Sequence, residues 1–123
     1  MEVLTQQEEA VMLAIWRIEP CYIRDILARY PDPKPPYTTL ASIVKNLERK
    51  EYVKSRPHGN TYQYVSLVTE GEYKRKFINN VVRNYFANSY KEMVSFFTEE
   101  QKISAADLED IIRMIEEGKN KES

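Results

Sequence analysis

The amino-acid sequence predicts a mainly α-helical protein with a small β-hairpin. Apolar residues recur at helical spacing along most of the chain, whereas the segment from 52 to 67 is rich in β-branched and aromatic residues. A Gly-Asn pair at 59–60, which tolerates left-handed backbone, lies near the middle of that segment. The predicted order is three short helices, the hairpin and then two further helices.

The first helix is predicted from about residue 6 to residue 18. Thr5 and Glu8 have the spacing of a capping box, in which each side chain accepts a hydrogen bond from a backbone amide at the helix start. Pro20 ends the helix because proline has no amide hydrogen to donate. The sole cysteine, Cys21, is predicted to be a small packed or capping residue rather than a redox sensor.

Two shorter elements complete the predicted N-terminal helices. An amphipathic segment of roughly eight to nine residues begins near Ile23 and is closed by the proline-rich stretch 31–36. The third helix, from about 37 to 50, has one buried stripe of the i, i+3, i+4, i+7 type, formed by Leu40, Ile43, Val44 and Leu47. Its opposite face carries Thr38, Ser42, Lys45 and Arg49.

The hairpin is predicted to have strands at 52–56 and 61–67, joined by a turn at 57–60. A long helix from 69 to about 90 carries an apolar stripe so wide that it requires a second surface to cover it. The last helix starts at the cap Ser104 and is predicted to end at Gly118. The predicted organisation is therefore a domain at 1–68, a helical region at 69–118 and a frayed tail at 119–123.

Composition excludes several classes of protein. The chain of 123 residues has one cysteine and one histidine, so a disulfide framework and a histidine-based metal site are both excluded, and no metal or cofactor is expected. It contains no Gly-rich phosphate loop, carboxylate cluster or nucleophile-base pair, so we expect no enzyme. The acidic first residues and the absence of a long apolar run favour a cytoplasmic protein without membrane insertion.

Positive charge is concentrated in the middle of the chain. Residues 34–58 contain six basic residues against two acidic ones, whereas residues 98–123 contain four basic residues against eight acidic ones. Three helices followed by a hairpin is the order of a winged helix-turn-helix, whose third helix enters the major groove of DNA. The predicted DNA contacts on the hairpin, or wing, are Lys54 and Arg56, with His58 at its tip. The alternative is a protein-binding winged-helix adaptor without sequence-specific DNA contact.

Several short motifs resemble the penicillinase-repressor (BlaI/MecI/CopY) family of bacterial winged-helix transcriptional repressors. The most specific piece is Glu9 with Val11-Met12 and Ile15-Trp16, and weaker pieces are Tyr37-Thr-Thr-Leu40 and Tyr62-Gln-Tyr64. The resemblance covers nearly the whole chain. It implies a homodimer that binds an inverted-repeat operator in double-stranded DNA, with intertwined C-terminal helices that form a dimerisation region.

The resemblance also assigns residues to these roles. Recognition-helix positions are Thr38, Thr39 and Ser42, with Asn46 where many members have arginine, and Glu51 replaces a glycine that usually ends this helix. The dimerisation residues are Phe77, Val81, Tyr85, Phe86, Phe96, Phe97, Leu108, Ile111, Ile112 and Ile115. In the resistance repressors a membrane sensor protease cuts near an Asn-Phe bond. The corresponding bond here is Phe96–Phe97, without the asparagine.

Overall fold

The structure, a computed structural model, describes residues 1–122 and the side chains of residues 1–118. Its elements are α1 (Gln6–Ile18), α2 (Ile23–Ala28), α3 (Tyr37–Arg49), β1 (Val53–His58), β2 (Thr61–Ser66), α4 (Glu70–Tyr85), α5 (Tyr90–Glu99) and α6 (Ala105–Glu122). The chain divides into two compact units, Met1–Arg75 and Lys76–Ser123, so the division falls within α4. The predicted fold class, mainly helical with one antiparallel hairpin, is confirmed.

The first unit is a helix-turn-helix closed by the hairpin. The core residues of its helices are fully buried, namely Val11, Met12, Ile15, Ile26, Leu40, Val44 and Leu47. Tyr52, Val53 and Tyr64 close the same core from the hairpin side. Cys21 exchanges two backbone hydrogen bonds with Tyr64, of 3.1 and 2.7 Å, which ties the start of α2 to the sheet. The prediction that Cys21 is packed is confirmed, and burial, with the charges of Asp25 and Glu19, raises the pKa of its thiol to about 11.

The predicted hairpin turn is longer than the observed one. Pro57 pairs with Tyr62 and His58 with Thr61, so both residues belong to β1 and the loop is only Gly59-Asn60. Gly59 has a φ of +63°, which an L side chain adopts only with strain. Pro57 is tolerated because the hairpin has only two paired strands and β1 lies at an edge.

The end of α3 places Glu51 in a backbone conformation that favours glycine. Its φ is +65°, and two backbone bonds close the helix around it, from Tyr52 N to Leu47 O (2.9 Å) and from Glu51 N to Glu48 O (3.0 Å). This is the Schellman arrangement, which satisfies the last carbonyls of a helix. An L residue in the left-handed region costs roughly 1–2 kcal/mol, so Glu51 stores strain at the point where the sequence lacks the expected glycine.

Replacing Glu51 by glycine is expected to raise the free energy of unfolding by about 1 kcal/mol. The relief of left-handed strain exceeds the extra entropy that glycine adds to the unfolded chain, which is of order 0.4–1 kcal/mol. Urea denaturation measures the change. The control is Glu51→Ala, which also removes the negative charge from the helix end but keeps the strain. Equal stability of the glycine and alanine variants would refute the explanation.

The second unit contains a helix that the sequence did not predict. The predicted long helix is interrupted after Tyr85, because Ala87 and Asn88 have φ values of 50° and 60°. α5 then starts at Ser89, whose Oγ accepts a hydrogen bond from Glu92 N (3.1 Å). Phe86 and Phe96 contact each other across this turn, with ring centroids 5.6 Å apart.

The last helix starts as predicted and extends beyond its predicted end. Ser104 Oγ accepts from Asp107 N (3.0 Å) and Asp107 Oδ2 accepts from Ser104 N (3.1 Å), a reciprocal cap that lowers the pKa of Asp107. α6 passes Gly118 and continues to Glu122, so Gly118 does not end it. Of the predicted frayed tail, Ser123 lies outside the described residues.

Within residues 1–122, no helix combines the length and the apolar character needed to cross a membrane.

Candidate nucleic-acid interface

α3 exposes the polar face that the sequence predicted. Its apolar stripe, Leu40, Val44 and Leu47, is at most 1% exposed. The opposite side chains are exposed to solvent: Thr38, Thr39, Ser42, Lys45 and Arg49. Burial of the stripe therefore fixes which face of α3 points outward. Along this outward face, the hydroxyl-bearing residues of the first two turns are followed by two basic residues.

The N-terminus of α3 has no side-chain cap. Pro36 occupies the cap position, and Thr39 N donates to Pro36 O (3.1 Å). Proline has no side-chain oxygen, so it cannot accept from the first-turn amides. The amides of Tyr37 and Thr38 and the hydroxyls of Thr38 and Thr39 are thus available donors at the positive end of the helix dipole.

Asn46 is already engaged within the first unit. Its side-chain amide nitrogen donates to Glu8 of α1, and its Oδ1 accepts from Arg49 Nε (3.0 Å). Asn46 is half-buried, and it lies on the flank of α3 nearest α1. Both polar atoms of the Asn46 side chain therefore already have partners within the first unit, and its contact with DNA stays a prediction.

The partner of Asn46, Glu8, is a buried charged residue for which the sequence predicted only a capping role. The capping box is present, with Thr5 N donating to Glu8 Oε1 (2.8 Å) and Glu8 N donating to Thr5 Oγ1 (3.1 Å). Lys50 Nζ also donates to Glu8 Oε1 (2.7 Å), and the two side chains are 9% and 3% exposed. One carboxylate thus joins the start of α1 to the end of α3.

The ionisation of Glu8 reflects these contacts. Burial alone would raise the pKa of its carboxyl group. The hydrogen bonds from Lys50, Thr5 and Asn46 and the charge of Lys50 outweigh burial and lower the pKa to about 2. Glu8 is therefore a carboxylate at neutral pH. The sequence did contain a signal for this buried charge. Val11, Met12 and Ile15 follow Glu8 by three, four and seven residues, so Glu8 lies within the apolar stripe of α1.

Arg49 is held loosely at the edge of the polar face. Besides its bond to Asn46, its Nη1 lies 3.9 Å from Glu2 Oε1, and both side chains are about 60% exposed. The N-terminal residues beside it are fixed more firmly, because Tyr52 Oη donates to Glu2 O (2.6 Å) and Lys50 Nζ donates to Val3 O (3.1 Å). Exposed ion pairs contribute little to stability, so Arg49 can exchange Glu2 for another anion.

The hairpin carries its predicted basic residues on one face. In the register of β1, Lys54, Arg56 and His58 alternate with Val53 and Ser55, so the two sets lie on opposite faces. Ser55 contacts α3, since its Oγ donates to Glu48 Oε2 (2.7 Å). The structure thus groups Lys54, Arg56 and His58 with one another but not on the hairpin face that contacts α3.

His58 has a partner that the sequence did not indicate. Its Nδ1 lies 2.5 Å from the Tyr22 hydroxyl oxygen, and the Arg24 guanidinium lies 4.6 Å from the centre of the Tyr22 ring. The tip of the hairpin is thereby linked to the start of α2. Among the described residues, no cluster of His, Cys, Asp and Glu is arranged to hold a metal ion.

The predicted dimerisation residues form an apolar surface on the second unit. Three of them are half-buried, Val81, Phe86 and Leu108. The others are exposed by 37% to 79%, namely Phe77, Tyr85, Phe96, Phe97, Ile111, Ile112 and Ile115. Val94, Leu108, Ile111 and Ile115 line a groove of about 590 Å³ between α5 and α6.

Curated proteins of similar sequence include the methicillin resistance regulatory protein MecI of Mammaliicoccus sciuri, of Staphylococcus aureus (strain N315) and of Staphylococcus epidermidis. Each is 23% identical to the chain over 73 residues, which is 59% of this chain and 59% of the relative. The chain thus spans about three fifths of the length of the curated relatives that it matches.

A solved structure with a partial likeness is that of AF1382 from Archaeoglobus fulgidus. It covers 65% of this chain and 89% of its own, at 18% identity and a TM-score of 0.45, which is too low to bear on the fold. The family model described as penicillinase repressor matches residues 4–117, which include all of α1 to α5 and most of α6. The chain therefore belongs to the penicillinase repressor family, a family of transcriptional repressors rather than enzymes.

Proposed function

We propose that the chain is a dimeric transcriptional repressor that binds an inverted-repeat operator in double-stranded DNA and represses by occluding a promoter. The observation that carries the proposal is the outward polar face of α3, with Thr38, Ser42 and Lys45 opposite a fully buried stripe. In a winged helix-turn-helix, this is the helix that enters the major groove. The chromosomal DNA of a bacterium lies in the cytoplasm, so the proposal includes a cytoplasmic location.

The side chains along the polar face of α3 are suited to different kinds of contact with DNA. Thr38, Thr39 and Ser42 lie in the first two turns, where hydroxyls can donate to base edges or phosphates. Lys45 lies a turn further on and presents an exposed ammonium group. Arg49 joins it when a phosphate replaces Glu2 as its partner. Asn46 supports this face by fixing the helix to Glu8.

The wing residues have a supporting role in the proposal. Lys54 and Arg56 are exposed cations on the same face of β1, and the ring of His58 is held near the tip by Tyr22. Neutralising phosphates is sequence-independent, so this face contributes affinity and salt dependence rather than base preference. The bond to Tyr22 restrains the wing tip, which reduces the ordering cost of contact with DNA.

Dimerisation is proposed through the second unit. Phe97, Ile111 and Ile112 are exposed there by 37%, 41% and 54%, and such a concentration of exposed apolar groups marks an interaction surface. A second copy of the chain is the partner that an inverted-repeat operator requires, because a two-fold axis in the protein matches the two-fold axis of the DNA. Sedimentation equilibrium tests this part: a monomer at micromolar concentration would contradict it.

Release by a membrane sensor protease at Phe96–Phe97 remains a prediction of the family resemblance. The bond lies inside α5, where Phe96 O and Phe97 O accept hydrogen bonds from Glu100 N (3.0 Å) and Lys102 N (2.9 Å). Cleavage at this bond would therefore require α5 to open locally first. Following the length of the chain in cells before and after exposure to a cell-wall antibiotic tests the prediction, and an intact chain after induction would contradict it.

Replacing Lys45 by alanine is expected to weaken binding to a duplex selected from randomised DNA and to reduce the slope of log affinity against log salt by about one. The reason is that one phosphate contact, and the counterion release that accompanies it, is lost. Affinity is measured by fluorescence anisotropy at four ionic strengths. Lys102→Ala, an equal change of charge at an exposed position of the second unit, is the matched control. If Lys45→Ala behaved like that control, α3 would not be the DNA-binding surface.

A further inference from the structure

Two exposed tyrosines near the proposed interface have no role in the function described so far. Tyr37 begins α3 and is 50% exposed, and Tyr62 lies next to the tip of the hairpin on β2 and is 55% exposed. Within the described part of the chain, neither hydroxyl forms a hydrogen bond. Large aromatic groups are usually buried, so two of them exposed on neighbouring elements require an explanation.

Tyr37 lies on the flank of α3 that faces the hairpin. At about 100° per residue, Tyr37, Ala41 and Glu48 fall along one line of the helix surface. The Glu48 end of this line contacts β1, because Glu48 Oε2 accepts from both the amide and the hydroxyl of Ser55, at 3.2 and 2.7 Å. The Tyr37 end lies about 16 Å away along the helix axis.

Tyr62 lies on the hairpin face that continues this contact. Ser55 pairs with Tyr64 and Pro57 pairs with Tyr62, and alternate residues of a strand share a face. The face that contacts α3 at Ser55 therefore carries Tyr62 two residues closer to the tip. Tyr64, which pairs with Ser55 on that face, is only 8% exposed. Burial raises the pKa of Tyr64, and the nearby Glu48, Tyr37 and Tyr62 add to this increase.

These positions place Tyr37 of α3 and Tyr62 of the hairpin on the facing sides of the two elements. The Glu48–Ser55 bond joins these sides, and the buried Tyr64 lies beside Ser55 on the same face of the hairpin. A phenol is neutral at pH 7 and donates one hydrogen bond. Two neutral donors on facing elements can bind an oxygen anion without the strong hydration of a lysine ammonium group. The acidic Glu48 is engaged by Ser55 and does not oppose an anion near the two tyrosines.

We propose that Tyr37 and Tyr62 form a phosphate clamp, in which both hydroxyls donate to the phosphodiester backbone of DNA where it passes between α3 and the wing. The inference rests on the proposed function, since it requires α3 to lie in the major groove. It adds two residues to the interface and assigns them a class of contact. The clamp contacts phosphate rather than bases because Tyr37 lies on the flank of α3, away from Thr38, Ser42 and Lys45.

The test uses Tyr37→Phe, Tyr62→Phe and the double variant of the full-length chain. Each single change is expected to lower the affinity for the selected duplex about tenfold, the effect of one hydrogen bond to a charged group. Affinity for unrelated duplex DNA is expected to fall by the same factor, because phosphate contacts carry no sequence information. The salt slope is expected to stay unchanged, because a neutral donor releases no counterions.

Tyr30→Phe is the matched control, since Tyr30 packs partly buried against the core of the first unit and belongs to neither proposed interface. Circular dichroism and urea denaturation establish that each variant is folded. Unchanged affinity of the double variant, while Lys45→Ala still weakens binding, would overturn the clamp and leave the proposed function intact. A changed salt slope, or a loss confined to the selected duplex, would overturn the assignment to phosphate. Failure of the unaltered chain to bind any DNA would overturn the proposed function and the clamp with it.

Discussion

Replacing Glu8 by alanine is expected to lower the free energy of unfolding by about 3–5 kcal/mol. The carboxylate is 2% exposed, and it accepts hydrogen bonds from Lys50 Nζ (2.7 Å), from Thr5 N (2.8 Å) and from the amide of Asn46. Its removal leaves the Lys50 ammonium, itself 9% exposed, without its counter-ion. A buried charge that has lost its partner costs far more than an exposed ion pair contributes. Urea denaturation followed by Trp16 fluorescence measures the loss.

Two further variants separate this explanation from a general effect of losing a glutamate. Glu72→Ala removes an exposed glutamate of the first unit and is expected to change stability by less than about 0.5 kcal/mol. The double variant Glu8→Ala with Lys50→Met is expected to recover part of the loss, because no charge is then left buried alone. A loss below about 1 kcal/mol in Glu8→Ala would show that Lys50 finds water or another partner.

The same contacts connect stability to the proposed DNA-binding face. Asn46 and Lys50 lie one turn apart on α3, and both donate to the one carboxylate of α1. Two bonds to a fixed point add directional restraints on the rotation of α3 about its axis to those that its buried stripe already provides. Glu8 therefore helps to determine which side chains of α3 point outward.

The elements of the first unit were predictable because their signals are local. The capping box at Thr5 and the proline at 20 predicted α1 with the observed bounds. The apolar spacing from Leu40 to Leu47 identified the buried stripe of α3, and therefore its exposed face. Each of these signals acts within one or two helical turns, so the sequence alone contains them.

The helices of the second unit were harder to predict because their breaks lack the usual residues. The sequence from 69 to 90 contains neither proline nor a late glycine, so one continuous helix was predicted. The chain instead turns at Ala87 and Asn88, and again at Gln101, all with positive φ values. Ala87 and Gln101 give little warning of left-handed backbone, and asparagine at 88 is a weaker signal for it than glycine.

The candidate site was predictable only where it depends on one element. The exposure of Thr38, Ser42 and Lys45 follows from the periodicity of α3. The engagement of Asn46 depends on Glu8, 38 residues earlier, and that of His58 depends on Tyr22, 36 residues earlier. Spacing along the chain does not contain such contacts, because they arise only when helices and hairpin pack together.

The contact of Glu8 with Lys50 is also expected to set the stability of the first unit in acid. The pKa of Glu8 is lowered from 4.5 to about 2 by folding. Above pH 4.5 the carboxylate is ionised in both states, and the stabilisation is fully present. As the pH falls below 4.5 the unfolded chain takes up the proton first, so the stabilisation is lost progressively down to about pH 2. A shift of this size corresponds to roughly 3 kcal/mol.

The measurement is a series of urea denaturation curves between pH 5 and pH 2 for the unaltered chain and for Glu8→Gln, which keeps the shape of the side chain but cannot ionise. Other carboxylates titrate in both proteins, Asp107 among them, so the difference between the two pH profiles isolates Glu8. The unaltered chain is expected to lose about 3 kcal/mol more than the variant over this range. Parallel profiles would mean that the carboxylate of Glu8 gains no more from its partners in the folded chain than from water in the unfolded one. The ion pair would then position α3 without stabilising it.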